Sequence, residues 1–234
     1  MTESLPIVLV PGLLCSARLY APQLPALWAY GPVTVADHRR DDTVDAIAAR
    51  ILAAAPPRFA LAGLSMGGYI AFAMLRQAPE RIDRLALLDT SARADTPEQT
   101  DARKKLMALA EAGKRLNDVV DLLTPRFLHV NRAHDEPLKE TVRAMARETG
   151  LDVFLRQERA IMGRADARPQ LAGIRCPTLV LVGDGDVLTP PDLAAEIAAG
   201  VKGAALVAVK DCGHLATLER PDEVNAALAQ WLTR

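Results

Sequence analysis

Six short apolar runs, each of four or five residues, recur along the chain at 7–10, 33–36, 59–62, 85–88, 178–182 and 205–209. Runs of this length, nearly free of polar residues, suit strands buried on both faces of a parallel sheet. The segments between them have helical period. Residues 43–55 place Val44, Ile47, Ala48, Ile51 and Leu52 on one face, and Pro56-Pro57 ends the stretch. Residues 69–77, 191–199 and 221–232 read as further helices. Strands alternating with helices predict an α/β fold: a mostly parallel sheet covered by helices on both faces.

The alternation is interrupted once. Between residues 96 and 168 no strand-like run occurs. Thr96-Pro97-Glu98 has the form of an N-cap, a first-turn proline and an acidic first turn, and Gly113 would close that helix. Leu138, Val142 and Met145 are spaced for a second helix ended by Gly150, and residues 151–162 for another. The chain of 234 residues therefore divides into a first core part (1–94), a helical cap (95–169) inserted between two core strands, and a second core part (170–234) of a single domain.

Composition narrows the function classes. Aromatic residues make up only 4%, so the core must rest on Ala, Leu, Val and Ile. A net charge of −1 favours neither nucleic acid nor an anionic membrane as a partner. Arg143, Arg147, Arg156 and Arg159 alternate with Glu140, Glu148, Asp152 and Glu158, which reads as a solvated helical face. Cys15, Cys176 and Cys212 form neither a disulfide framework nor a metal-ligand spacing, and Cys15 and Cys212 read as small buried side chains. With no basic lead-in at the start and no apolar stretch near the roughly 18 residues of a membrane span, a cytoplasmic protein is expected.

Chemistry concentrates at three strand ends. Gly63-Leu64-Ser65-Met66-Gly67 matches G-x-S-x-G between a strand and a helix. A serine on such a turn occupies a strained backbone region, and its neighbours come so close that only small residues fit. The turn lifts the hydroxyl clear of the sheet, and the helix behind it contributes a positive dipole end and free N–H groups. Cys212-Gly213-His214 follows the last strand. Of the four histidines only His214 occupies a loop at the carboxyl end of a late strand, where a base could reach the serine. His38 follows an early strand, and His129 and His134 fall in the cap. Gly183-Asp184-Gly185-Asp186 follows the fifth strand; Asp186, at the far side of the turn, suits a carboxylate that orients the imidazole, and Asp184 a turn former. Asp89, after the fourth strand, is the minor alternative. The order Ser, Asp, His is that of α/β-hydrolases.

On these residues, together with Val10-Pro11-Gly12-Leu13, Pro177-Thr178-Leu179-Val180-Leu181-Val182 and Glu219-Arg220-Pro221, the chain resembles the α/β-hydrolase superfamily. It is similar to the small capped esterase and lactonase branch, including 3-oxoadipate enol-lactonase-like hydrolases. The resemblance implies a nucleophile elbow at Ser65, a catalytic triad of Ser65, Asp186 and His214, and an oxyanion hole formed by the amides of Leu13 and Met66. Pro11 stands where histidine is common and has no N–H, but Gly12 still permits the turn. Leu13 replaces the aromatic residue of haloperoxidase-like members, and serine replaces the aspartate of dehalogenases and epoxide hydrolases. The activity implied is hydrolysis of a small ester or lactone by a serine esterase, without cofactor or metal, in a monomer or homodimer. Carbon–carbon bond hydrolysis, acyl transfer and a low-turnover receptor are the alternatives. Phe127, Leu128, Phe154 and Met162 either line an acyl pocket or pack the cap, and Tyr20 reads as packing.

Overall fold

In a computed structural model that describes residues 4–112 and 116–234, the six apolar runs pair into one sheet. The strands are β1 (Ile7–Val10), β2 (Val33–Val35), β3 (Phe59–Leu64), β4 (Ile82–Leu88), β5 (Thr178–Gly183) and β6 (Ala205–Val209). Their order is β2-β1-β3-β4-β5-β6, and every neighbouring pair is parallel. The helices are α1 (Leu24–Leu27), α2 (Val44–Ala54), α3 (Met66–Gln77), α4 (Pro97–Glu111), α5 (Leu116–Phe127), α6 (Glu136–Thr149), α7 (Leu151–Met162), α8 (Pro191–Gly200), α9 (Ala216–Glu219) and α10 (Pro221–Leu232).

Within each central strand the side chains divide by a period of two, although the sequence looks uniformly apolar. Val8, Val10, Phe59, Leu61, Leu85, Leu87, Val180 and Val182 face α2, α3 and α8. Ile7, Leu9, Ala60, Ala62, Leu88 and Leu181 face the other way, onto α1, α9 and α10. Both faces are dry, and each fully buried Val, Leu or Ile contributes about 1.5–3 kcal/mol. Trp231 of α10 is buried in the second layer, and its indole N–H donates to Pro177 O at 3.2 Å. The edge strands β2 and β6 are only half buried, as strands with a single neighbour must be.

Between β4 and β5 the described residues form helices α4 to α7 and no strand. Thr96 caps α4 reciprocally with Gln99: Gln99 N–H donates to Thr96 Oγ1 and Thr96 N–H to Gln99 Oε1. Gly113, expected to end this helix, lies outside the described residues. The sequence reading contained no helix at α5. Pro125 hides it: a proline lacks the N–H that would bond back one turn. The helix forms despite that loss because Val119, Val120 and Phe127 make a buried stripe.

A second departure lies at the end of β3. The sequence leaves Gly67 and Gly68 in a loop before a helix at Tyr69, whereas the strand runs to Leu64 and α3 begins at Met66. Both glycines are helical because of close packing. A Cβ on Gly67 would run into Val10 O, one on Gly68 into Thr90 Oγ1, and one on Gly63 into Gly67 O. Strand, turn and helix thus meet with no spare residue. Gly67→Ala is expected to lower the free energy of unfolding by about 3 kcal/mol, since backbone, not a flexible side chain, must move aside. Urea denaturation followed by circular dichroism measures it; a change below the error of the midpoint would contradict the packing account.

Candidate active site

Ser65 joins β3 to α3 with φ 55° and ψ −115°, a conformation rare for a residue with a side chain. Its backbone is held on both sides: Ser65 N–H donates to Leu88 O at 2.9 Å, and Ser65 O accepts Thr90 Oγ1 at 2.8 Å and Gly68 N–H at 2.9 Å. The strain aims the hydroxyl away from the sheet toward the loop that carries His214.

His214 Nε2 lies 2.8 Å from Ser65 Oγ, and His214 Nδ1 lies 2.7 Å from Asp186 Oδ2. Asp186 is almost fully buried, and each of its oxygens has partners. Leu188 N–H and Thr189 N–H donate to Oδ1 at 2.8 and 3.0 Å, and Thr189 Oγ1 donates to Oδ2 at 2.7 Å. Burial alone would raise the Asp186 carboxyl; His214 and the Thr189 bonds outweigh it and hold the carboxyl below its ordinary value. Asp184 is exposed and its carboxylate accepts Cys212 N–H at 3.3 Å, as a turn former does. Asp89 is buried, but its carboxyl accepts Gly183 N–H at 2.9 Å and Ala216 N–H at 3.3 Å, which pins two loops together. Burial and then the Asp186 charge push the Asp89 carboxyl well above the carboxylate range.

The histidine loop is held from the cap and from its own far end. His214 N–H donates to Phe127 O at 2.9 Å, and the Phe127 ring stacks on the imidazole with centroids 6.3 Å apart. The Glu219 carboxylate accepts N–H groups from Gly213 (3.0 Å), Leu215 (3.3 Å) and His129 (2.8 Å). Neither Thr189 nor Glu219 received a role from sequence. The signal for Thr189 was a hydroxyl three residues beyond Asp186, at hydrogen-bonding reach for an Asx-type turn.

The loop after β1 supplies the opposite wall. A Cβ on Gly12 would lie 3.3 Å from Leu64 O and 3.4 Å from Ser65 Cβ, so this loop rests on the serine turn. Leu14 adopts φ 59°. Among the described residues, the amides of Leu13 and Met66 donate no backbone hydrogen bond. Beneath the loop the buried Tyr20 donates its hydroxyl to Val10 O at 3.0 Å, a packing role. His38 is buried beside it, with Nε2 2.9 Å from Gly12 O.

Ser65 and His214 open into a cavity of about 350 Å³ between the sheet and helices α4 to α7. Leu106, Val120, Leu123, Phe127, Val142 and Met145 form its apolar wall. Leu128 and Phe154 are buried in packing instead, and Met162 does not reach the cavity. Cys15 lines it, but burial pushes its thiol up to about 12, so it is not ionised. Among the described residues no cluster of His, Cys, Asp and Glu could hold a metal, and no helix is long and apolar enough to cross a membrane.

One margin of the cavity is charged, and here the sequence expectation is corrected. Glu158 does not lie on a solvated face: it is fully buried and accepts from Arg103 Nη1 at 2.8 Å. Arg103 Nε also donates to Asp95 at 2.8 Å, and Asp95 pairs with Arg164, whose guanidinium lies 4.2 Å over the Tyr69 ring. Arg156 and Arg159 stay toward the outer side of α7, while Glu158, about half a turn after Arg156, points inward.

A model of the Alpha/beta hydrolase family matches residues 7–227. A protein of Azorhizobium caulinodans with the provisional name carbamate hydrolase RutD is 30% identical over 240 residues, 95% of this chain and 89% of that protein. A thermophilic esterase from Thermogutta terrifontis superposes with a TM-score of 0.88 at 28% identity, covering 98% of this chain and 89% of the other. The enol-lactonase from Burkholderia xenovorans LB400 superposes with a TM-score of 0.89 at 27% identity, covering 99% and 92%.

Burial lowers the His38 pKa from 6.5 to about 4, so the ring is neutral in the folded protein at neutral pH. Between these values the unfolded chain binds the proton and the folded one does not. His38 therefore contributes roughly 3 kcal/mol above pH 6.5, and that contribution is lost as pH falls through 4. In urea titrations from pH 7 to 4, His38→Asn is expected to show a flatter loss of stability than the native chain. Parallel profiles would refute the assignment.

Proposed function

The chain belongs to the alpha/beta hydrolase family and is a hydrolase, and from that premise we propose that it cleaves carboxylic esters or lactones through an acyl-enzyme on Ser65. The observation that carries this reading is the continuous chain Ser65 Oγ–His214 Nε2 (2.8 Å) and His214 Nδ1–Asp186 Oδ2 (2.7 Å), opening into a largely apolar cavity. His214 takes the Ser65 proton as Oγ attacks the carbonyl carbon, and Asp186 stabilises the imidazolium that forms. The amides of Leu13 and Met66, free of backbone partners, stabilise the tetrahedral oxyanion, each by about 3 kcal/mol. The imidazolium then protonates the leaving alkoxide. Water, deprotonated by the same histidine, releases the acid and restores Ser65.

The similarity to an esterase and to an enol-lactonase supports the same reading. A second reading is carbamate hydrolysis, favoured by the A. caulinodans relative. It uses the same serine and the same oxyanion site, and differs in the group that acylates Ser65.

Hydrolysis of p-nitrophenyl esters from acetate to octanoate tests the proposal. Ser65→Ala is expected to abolish turnover with an unchanged circular dichroism spectrum. Asp186→Asn is expected to lower kcat on the order of 10³–10⁴-fold, because the imidazole loses its orienting carboxylate. Turnover that survives in Ser65→Ala would remove Ser65 as nucleophile, and turnover of a p-nitrophenyl carbamate alone would favour the second reading.

A further inference from the structure

We propose that Gln157, together with His38, positions the oxyanion-hole loop, so that the seating of cap helix α7 sets the rate at Ser65. The proposal rests on the serine-hydrolase reading above and adds to it two residues that do not touch substrate.

Gln157 projects from α7 into the core and is fully buried. Leu14 N–H donates to Gln157 Oε1 at 3.0 Å, across 143 residues of sequence. A backbone N–H can only donate, so this bond fixes the carboxamide: its oxygen faces Leu14 and its nitrogen faces His38. Gln157 Nε2 lies 2.9 Å from His38 Nε2, and the same ring nitrogen lies 2.9 Å from Gly12 O. The ring nitrogen serves one of these neighbours at a time: protonated it donates to Gly12 O, and unprotonated it accepts from the Gln157 amide, so in either tautomer the ring lies wedged between α7 and the turn.

The two contacts bracket Leu13, whose amide is one proposed oxyanion donor. Leu14 on its far side is held at φ 59°, a conformation that persists only where the surroundings enforce it. The Gln157 bond is an enforcement of that kind. Without it Leu14 N–H is buried and unpaired, and the turn relaxes toward other partners. The Leu13 amide then swings away from the position the oxyanion takes. Displacements near 1 Å at such a donor cost on the order of 100-fold in rate. Gln157 does not line the cavity, so ground-state binding stays as it was.

The test combines ester kinetics with inhibition by an alkyl boronic acid. In that adduct a bond forms between Ser65 Oγ and boron, the serine proton passes to His214, and a boron-bound oxygen occupies the oxyanion site. For Gln157→Met, kcat is expected to fall by about tenfold to 100-fold, with KM within about twofold of native and the boronic acid inhibition constant raised in step with the fall in kcat. Gln157→Glu, which keeps an oxygen for Leu14 N–H, is expected to recover most of the loss. A folded Gln157→Met variant with native kcat, or a lower kcat with unchanged boronic acid affinity, overturns the proposal. If Gln157→Met does not fold, the same pair of measurements on Gln157→Glu and His38→Asn decides it: native values in both overturn it, and parallel losses in His38→Asn support it. Labelling of Ser65 in the native protein by a fluorophosphonate separates the two levels. Labelling with native kinetics in the variants defeats the positioning role alone, and absence of labelling defeats the serine reading beneath it.

Discussion

Everything at this site follows from one crowded contact, where the backbone of α3 at Gly67 rests directly against the end of β1 at Val10. No side chain fits between them. This closeness lets a strand turn into a helix through a single connecting residue, Ser65, held at a positive φ. It also brings the loop after β1 against the serine turn. The proposed nucleophile and the proposed oxyanion donors are therefore placed by one piece of backbone packing, and the free energy that maintains the strain comes from the two dry faces of the sheet.

The remaining parts reach this point from three directions. β5 and the loop after it deliver Asp186, already saturated with hydrogen bonds from Leu188 and Thr189. β6 delivers His214 on a loop whose amides are collected by Glu219. The cap holds both sides of the serine: Phe127 of α5 accepts the His214 amide, and Gln157 of α7 accepts the Leu14 amide. The helices over the cavity are thus also part of the scaffold that fixes its floor.

How much could be read in advance depended on how local the signal was. The strands were legible because each is a short apolar run, and Ser65, Asp186 and His214 because each follows such a run at a glycine-marked turn. The start of α3 was misjudged because glycines read as loop formers, and nothing local reveals that Val10 lies against one of them. Helix α5 was hidden by Pro125, a strong local breaker overruled by the burial of Val119, Val120 and Phe127. Gln157 and Glu158 stand side by side in a polar stretch of α7. Only the tertiary structure shows that one holds a backbone amide 143 positions away and the other an arginine in a dry setting. The roles of long-range polar pairs leave no periodic trace.

The buried group of Asp95, Arg103, Glu158 and Arg164 bears on how such a protein can change over generations. Its two positive and two negative charges are interlocked, with Asp95 shared between both arginines. Loss of Arg103 strands the Glu158 charge and loss of Asp95 strands the Arg164 charge away from water, whereas a well-packed apolar replacement of a whole pair is close to neutral. Drift by single steps is therefore blocked at this margin of the cavity, and new specificities there are reached through paired replacements. The apolar wall opposite, built from interchangeable Leu, Val and Met side chains, is open to single-step variation. Lineages descended from this chain would diversify first along that wall and keep the charged margin unchanged.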